Sequence, residues 1–168
     1  FGVLSSGTAT LRGTGNITLT DGGVLPGAAI EAGALTVTST GGGITGVVPL
    51  TTTSGALTLN AAGPILLSAQ ASAAGGAAFT GQGVTIAAAL GSTSGGVRLD
   101  AGAGNLALQA GVTATGQTVA LAADGSITQS AGIITANRVD AGGSTGAIAG
   151  AIQLTGANLV PVWSALSG

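Results

Sequence analysis

Few side chains of this sequence could do chemistry, and most of those are carboxylates. The chain has no His and no Cys, so Ser–His–Asp and Cys–His arrangements and the usual zinc ligand sets cannot be built. Paired carboxylates could still cleave a polysaccharide, and the acids are Asp21, Glu31, Asp100, Asp124 and Asp140. The repeat described below places Asp100 and Asp140 on one face, about 9.6 Å apart. A polysaccharide-active enzyme is therefore an alternative, but we predict a non-catalytic protein with no cofactor and no metal.

Two arginines each precede an aspartate by two positions. Arg98 is paired in this way with Asp100, and Arg138 with Asp140, so each pair shares one side of a strand. Exposed pairs of this kind contribute about 0–1 kcal/mol and favour solubility. The alternative interpretation is a small charged recognition patch on an otherwise neutral surface.

A second candidate contact surface consists of regularly spaced hydroxyl groups. Polar pairs two positions apart recur on three consecutive repeats and are predicted to stack into a flat array: Thr18 and Thr20, Thr36 and Thr38, and Thr58 and Asn60. Such an array resembles the face of ice-binding solenoids, so ice binding is an alternative function. Thr is also favoured on any exposed strand, which is the simpler interpretation. Trp163 is a further candidate, either for closing the last repeat or for contacting the next part of a longer chain.

These side chains are positioned by apolar residues that return with a period of about 20 residues in three columns. The first column is Ile17, Leu35, Leu57, Ala77, Val97, Val119, Val139 and Leu159; the second is Leu4, Leu25, Ile44, Ile65, Val84, Leu106, Ile127 and Ile148; the third is Leu11, Ile30, Leu50, Leu90, Val112, Ile133 and Ile152, weakest at Gln70. Three apolar peaks per period predict a three-sided β-solenoid. About eight coils would stack in parallel, about 4.8 Å apart.

Within each repeat, apolar and polar residues alternate as in β-strands, for example in Leu57-Thr58-Leu59-Asn60. Gly precedes most strands, where a corner needs unusual backbone angles. No stretch carries a helical apolar stripe, so the predicted fold is all-β. Phe79 is in register with Leu59 and Leu99 and is expected to fill the core.

Composition narrows the class of protein. Charged residues are only 5% of the chain and the net charge is −2, so nothing indicates a nucleic-acid partner. No apolar run is long enough to predict a transmembrane helix. Aromatic residues are 2% of the chain, which indicates a narrow core of medium-sized side chains. Because the sequence begins at Phe1 and repeats almost throughout, we expect residues 1–168 to be one solenoid segment of a longer chain.

The repeats resemble those of filamentous-haemagglutinin-like large exoproteins, which are exported by two-partner secretion. The resemblance lies in Gly-x-(Leu/Ile)-Thr-Leu units at 15–19 and 55–59, and in the stretches at 125–129, 134–136 and 152–158. It implies a right-handed parallel β-helix, an extracellular or bacterial cell-surface location, and roles in adhesion and biofilm formation. The Asn-Pro-Asn motifs of that family's secretion domain are absent from this sequence, so the segment resembles the repetitive shaft.

The expected function is therefore structural, as the shaft of an adhesin-like exoprotein or extracellular filament. Low-charge faces and open strand edges predict a homo-oligomer or fibre formed by lateral and end-to-end packing. A cell-surface or glycan partner is also an expectation. A self-stacking fibre subunit with no adhesin role is a further alternative.

Overall fold

The computed structural model describes residues 8–20, 29–145 and 150–165, and the described chain is built from β-strands. Its nineteen strands, in chain order, are β1 (Thr8–Gly13), β2 (Ile17–Leu19), β3 (Ile30–Ala32), β4 (Ala34–Ser39), β5 (Ile44–Gly46), β6 (Leu50–Thr52), β7 (Leu57–Ala61), β8 (Ile65–Leu67), β9 (Ala71–Ala73), β10 (Ala77–Thr80), β11 (Val84–Ile86), β12 (Leu90–Ser92), β13 (Val97–Asp100), β14 (Leu106–Leu108), β15 (Val112–Ala122), β16 (Ile127–Gln129), β17 (Ile134–Gly142), β18 (Ile152–Leu154) and β19 (Val162–Ala165). The predicted all-β class is confirmed.

The strands form a parallel β-solenoid with three strand positions in each coil. The first face contains β1, β4, β7, β10, β13, the second halves of β15 and β17, and β19. The second face contains seven strands, from β2 through β5, β8, β11, β14 and β16 to β18. The third contains β3, β6, β9, β12 and the first halves of β15 and β17. The solenoid thus has about seven coils, one fewer than the sequence predicted; its handedness stays a prediction.

The core is a set of apolar columns along the solenoid axis. Leu57 pairs with Ala77, Ala77 with Val97, and Val97 with Val119 on the first face, and all four are at most 3% exposed. Phe79 is fully buried in the neighbouring column, between Leu59 and Leu99, as predicted. Alternation drives this arrangement, because successive side chains of a strand point to opposite faces and the apolar ones turn inward.

Glycine allows neighbouring coils to approach at the corners. A Cβ on Gly95 would lie 2.3 Å from the carbonyl oxygen of Gly75 in the preceding coil. Gly116 has a φ of 74° and lies where the pairing of β15 with β17 shifts register. There the chain passes from the third face to the first within one continuous strand.

The first coil departs from the predicted columns. Leu11 lies on the first face opposite Val37, not on the third face, and Ile17 lies on the second face opposite Ile44, not on the first. The reason is the length of the first coil. Ala9 pairs with Leu35, 26 positions later, whereas the predicted columns assumed coils of 20 or 21 residues. Leu4 and Leu25 lie outside the described residues.

The third column and the last coil also differ from the prediction. Ile134 takes the inward position expected for Ile133, which is 43% exposed. Ile152 lies on the second face opposite Ile127, not on the third face. At the predicted weak point of the third column, Ala71 fills the place of Gln70. Trp163 takes the place opposite Val139 that was expected for Leu159, and Ile148 lies outside the described residues.

Candidate functional site

The first face carries both predicted charge pairs, and the two pairs have different surroundings. Arg98 Nη2 donates to Asp100 Oδ2 at 2.9 Å, and Arg138 Nε donates to Asp140 Oδ1 at 2.5 Å. The Arg98 side chain is 57% exposed, whereas Asp100 as a residue is only 8% exposed. The interpretation of two simple exposed pairs is therefore wrong for Asp100.

Asp100 is held at the corner that comes after the first face. Its Oδ1 accepts hydrogen bonds from the backbone N–H of Gly102 at 3.1 Å and from the hydroxyl of Ser144 at 2.6 Å. Ser144 belongs to the corner two coils later, because Asp100 pairs with Ala122 and Ala122 with Gly142. The carboxylate thus spans three successive coils at their corner, which is a structural role.

Asp140 forms a polar cluster with Arg138 and Ser164 on the same face. The Ser164 hydroxyl donates to Asp140 Oδ1, and Arg138 Nη2 donates to Ser164 Oγ at 2.8 Å. These contacts lower the pKa of Asp140 below its ordinary value of 3.8, the Ser164 hydrogen bond having the larger effect and Arg138 the smaller. The carboxylate is therefore ionised at neutral pH and joins the last two strands of the face.

The pairing register separates the two carboxylates that were considered as a catalytic pair. Asp140 is in line with Arg98 through Ala120, not with Asp100. Two coils and an offset of two positions put the Cα atoms of Asp100 and Asp140 about 12 Å apart. Each carboxylate also accepts a hydrogen bond from a different serine, Asp100 from Ser144 and Asp140 from Ser164, whereas the two carboxyl groups of a glycosidase flank one bond of the substrate. The arrangement therefore does not favour the polysaccharide-active alternative.

Asp124 lies one coil after Asp100, at the same corner of the solenoid, and accepts hydrogen bonds from Thr145 in the following coil. Its Oδ1 accepts the N–H of Thr145 at 2.9 Å and its Oδ2 accepts the Thr145 hydroxyl at 2.9 Å. These bonds, first the backbone one and then the hydroxyl one, lower the pKa of Asp124. Within the described ranges, which leave out Asp21, no three His, Cys, Asp or Glu residues come together in a way that could hold a metal ion.

The hydroxyl array exists, but the structure replaces both residues of its first predicted pair. Thr36 pairs with Thr58, and Thr38 with Asn60, as predicted. Thr18 instead pairs with Thr45 on the second face, and the exposed Thr20 comes after it there. The places expected for Thr18 and Thr20 are taken by Thr10, opposite Thr36, and by Arg12, opposite Thr38. The misplacement has the same cause as that of Ile17, the longer first coil.

The array is short. After Thr10, Thr36 and Thr58, the same outward column continues with Ala78 and Arg98. Three hydroxyl rungs are therefore followed by a methyl group and a guanidinium group. This order of side chains is what strand propensity alone would leave on an exposed face.

A shallow groove of about 360 Å³ lies beside this column, at the edge of the first face. We call it the glycine–alanine groove, and it is lined by Ala56, Gly75, Gly76, Ala77, Ala78, Gly96, Val97, Arg98, Thr118 and Ala120. Its glycines are needed for backbone packing, since a Cβ on Gly75 would lie 2.8 Å from the carbonyl carbon of Gly55. The groove thus presents a largely apolar surface with an arginine at its rim.

The last coil exposes apolar side chains around Trp163. This residue lies in the inward column opposite Val139, yet it is 47% exposed. With Ile152 and Leu154 it lines a second hollow of about 350 Å³. Trp163 therefore contributes to an apolar surface at this end of the described solenoid, and its role as a contact residue stays a prediction.

Sequence reasoning missed four polar residues that organise the last coils: Gln129, Ser144, Asn158 and Ser164. A signal was present for Gln129, because it occupies an inward position of the second face that is Leu67, Ile86 or Leu108 in preceding coils. The other three make contacts with residues 24 to 44 positions away, which no local pattern shows.

Comparison of the chain with known protein families, with curated proteins and with solved structures finds no significant match. The part of the chain that the structure describes has no helix long and apolar enough to cross a membrane. The fold and its surfaces are therefore the basis for a functional proposal.

Proposed function

We propose that the chain is a non-catalytic shaft segment of a secreted or bacterial cell-surface exoprotein of the adhesin type, supporting attachment, aggregation or biofilm formation. The observation that carries the proposal is the unbroken parallel ladder of the first face, whose eight strands run from β1 to β19. A continuous ladder makes each coil a spacer of constant height. The resemblance to filamentous-haemagglutinin-like repeats supports the location and the role in adhesion.

The mechanism is mechanical. About seven coils at about 4.8 Å each give a rod about 34 Å long. Backbone hydrogen bonds hold each coil to the next, for example from Leu57 N to Gly76 O and from Ala77 N to Gly96 O. Inside the rod, the apolar columns resist bending because interiors are close-packed. A shaft of this kind transmits force and holds a distal binding region away from the cell.

The small, largely apolar side chains around the glycine–alanine groove support association of the rods side by side. Around the glycine–alanine groove the outward side chains are small, and Arg98 is the charged residue of the described lining. Apolar exposed patches commonly mark contact surfaces. Partners would therefore be other copies of the chain, with a glycan or cell-surface ligand engaged elsewhere on the exoprotein.

Electron microscopy and fibre diffraction test the shaft directly. Native material and the purified segment should form rods or fibres whose diffraction has a meridional spacing of about 4.8 Å, the separation of stacked strands. Globular particles without this spacing would contradict a shaft function.

Lateral packing is tested by adding a charge to the groove. Ala78→Lys should weaken concentration-dependent association in sedimentation velocity, because Ala78 lines the groove and points outward. Thr113→Lys is the matched control, since Thr113 is exposed on the third face. Equal weakening in both variants would show a general charge effect, and a wild-type chain that stays monomeric at high concentration would contradict lateral packing.

The proposed location has its own test. Antibodies raised against the segment should label intact source cells and filaments around them. Labelling that requires permeabilised cells would contradict a surface or extracellular location.

A second candidate function is a self-stacking fibre subunit with no adhesin role. The apolar side chains exposed in the last coil favour it, namely Ile152, Leu159, Val162 and Trp163. Trp163→Asp should then abolish end-to-end elongation while Ala78→Lys leaves it unchanged, as measured by fibre length in electron micrographs. Under the shaft proposal with lateral packing, Ala78→Lys should weaken association of the rods more than Trp163→Asp does.

A further inference from the structure

The last coil stacks in a register that the ordinary period of the repeat does not predict. Ile152 lies opposite Ile127, and Trp163 opposite Val139, so the sequence numbers of these partners differ by 25 and by 24. In the coils between β4 and β16, the sequence numbers of paired residues differ by only 19 to 22. The last coil is therefore longer than the coils from β4 to β16.

A competing register with the ordinary period is available in the sequence. Displacing the last coil by four positions would put Ile148 opposite Ile127, Leu154 opposite Ile134 and Leu159 opposite Val139. Each of these positions would then hold an aliphatic residue. In the observed register, Leu159 pairs with Thr135, so the preceding residue, Asn158, takes the place opposite the buried Ile134. At the neighbouring inward positions, however, the competing register would put Gly150 and Gly156 in place of Leu154 and Val160, which pack against the core. The competing register therefore has the ordinary period of the repeat, but apolar burial alone does not favour it.

The observed register instead joins two amides. Gln129 is 4% exposed, and its Nε2 donates to Asn158 Oδ1 at 2.9 Å while Asn158 Nδ2 donates back to Gln129 Oε1 at 2.8 Å. Gln129 Nε2 also donates to the carbonyl oxygen of Gly132 at 3.0 Å, and Asn158 Oδ1 also accepts the N–H of Ile134 at 2.8 Å. Among the described residues, no buried side-chain nitrogen or oxygen lacks a partner.

The competing register would break this pair. A displacement by four positions moves Asn158 about 13 Å along the strand direction, out of reach of Gln129. The Gln129 amide would remain on the inward side of the second face without that partner, which is costly because a buried polar group loses its hydration without compensation. Single buried polar residues are known to select one register among several that apolar packing would permit.

We propose that the Gln129–Asn158 amide pair selects the register of the last coil. The pair acts against the alternative register that has the ordinary period of the repeat. It thereby determines which apolar side chains, Trp163 and Ile152 among them, the last coil presents at its surface.

Disulfide trapping in the full chain tests the proposal without background, because the chain has no cysteine. Thr135→Cys with Leu159→Cys reports the observed register, since these residues pair in parallel and neighbouring strands are about 4.8 Å apart, within disulfide range. Thr135→Cys with Thr155→Cys reports the competing register, because Thr155 precedes Leu159 by four positions. Mass spectrometry after mild oxidation gives the yield of each cross-link.

With Gln129 and Asn158 intact, the first cross-link should form and the second should not. In a Gln129→Leu background, which restores the aliphatic residue of the preceding coils, the ratio of the first cross-link to the second should fall about tenfold or more. An unchanged ratio would overturn the proposal, because apolar packing would then determine the register. Failure of both cross-links in the intact background would overturn it as well.

A second variant separates register selection from simple stabilisation. Asn158→Ala keeps Gln129 and removes its partner, so the cross-link ratio should fall in this background too. A pair that only stabilises the fold would lower the melting temperature in Asn158→Ala and leave the ratio unchanged. That result would also overturn the proposal.

Discussion

The coils from β4 to β16 and the last coil, from β18 to β19, solve the same packing problem in different ways. The earlier coils keep nearly one length around buried Leu, Ile, Val and Phe side chains. The last coil is longer. Its Asn158 side chain is hydrogen-bonded to the buried Gln129 of the preceding coil, and its Trp163 side chain is 47% exposed. In the earlier coils, buried hydroxyl groups such as those of Thr52 and Ser92 donate to backbone carbonyls at the corners, whereas the last coil is held by hydrogen bonds between side chains.

The polar contacts of the last coil are not confined to its interior. Ser164 joins Asp140 on the outside of the first face, and Ser144 and Thr145 bind Asp100 and Asp124 at the preceding corner. Hydrogen bonds are directional, so these groups determine position where apolar packing would allow sliding. The difference between the two regions can be tested by four measurements, in decreasing size of effect.

The largest effect is expected in the centre of the regular region. Phe79→Ala should lower the free energy of unfolding by about 3–5 kcal/mol, because it empties a fully buried site. Trp163→Ala, the matched change in the last coil, should cost about 1–2 kcal/mol since the side chain is half exposed. Urea unfolding followed by circular dichroism measures both. Equal losses would mean that the two regions are packed alike.

The loss of stability on replacing a glycine by alanine should depend strongly on how closely the neighbouring coil approaches that glycine. Gly95→Ala should cost toward the upper end of about 1–3 kcal/mol, because its Cβ would lie 2.3 Å from the backbone oxygen of Gly75. Gly91→Ala is the control, since its Cβ would meet nothing closer than 4.0 Å, and it should be neutral or stabilise by up to about 1 kcal/mol. Thermal unfolding of the two variants distinguishes them, and similar melting temperatures would contradict the close approach of the coils.

Loss of the inner amide contact should affect the last coil more than the others. Asn158→Ala should cost about 1–2 kcal/mol because the Gln129 amide loses its partner. The single tryptophan of the chain, Trp163, reports on the last coil by fluorescence, while circular dichroism reports on the whole solenoid. The fluorescence transition should move to lower urea than the circular dichroism transition. Coincident shifts would mean that the last coil is not an independent unit.

The smallest effect concerns pH. The folded-state pKa of Asp140 lies below its ordinary value of 3.8, so the stabilisation from its contacts is present above that value and is lost as the pH falls through the folded-state pKa. Its size should be below about 1 kcal/mol, because the Arg138 side chain is 47% exposed and solvent screens the pair. Ser164→Ala should raise the pKa of Asp140 toward 3.8 in an NMR titration of the carboxyl carbon. An unchanged pKa would contradict the leading role of the Ser164 hydrogen bond.

Prediction from sequence succeeded where the apolar columns keep one period and failed where the length of a coil changes. From Leu35 to Val139 the predicted first column is the observed one. Thr18 and Leu159 were assigned to the wrong faces, because the first and last coils are longer and a period carries no information on insertions. The charge pairs were found because a spacing of two positions means one side of a strand, but the burial of Asp100 depends on Ser144, two coils away.

The sequence alone determined the all-β solenoid, its parallel columns and its weakly charged surface, because these arise from the alternation and recurrence of residue types along the chain. Only the tertiary structure decided the register of the first and last coils, the amide pair of Gln129 and Asn158, and the hydroxyl partners of three carboxylates, Asp100, Asp124 and Asp140. Those features depend on contacts between side chains that are 21 to 44 positions apart. Their selection requires the directionality of hydrogen bonds in three dimensions, which periodicity in one dimension does not contain.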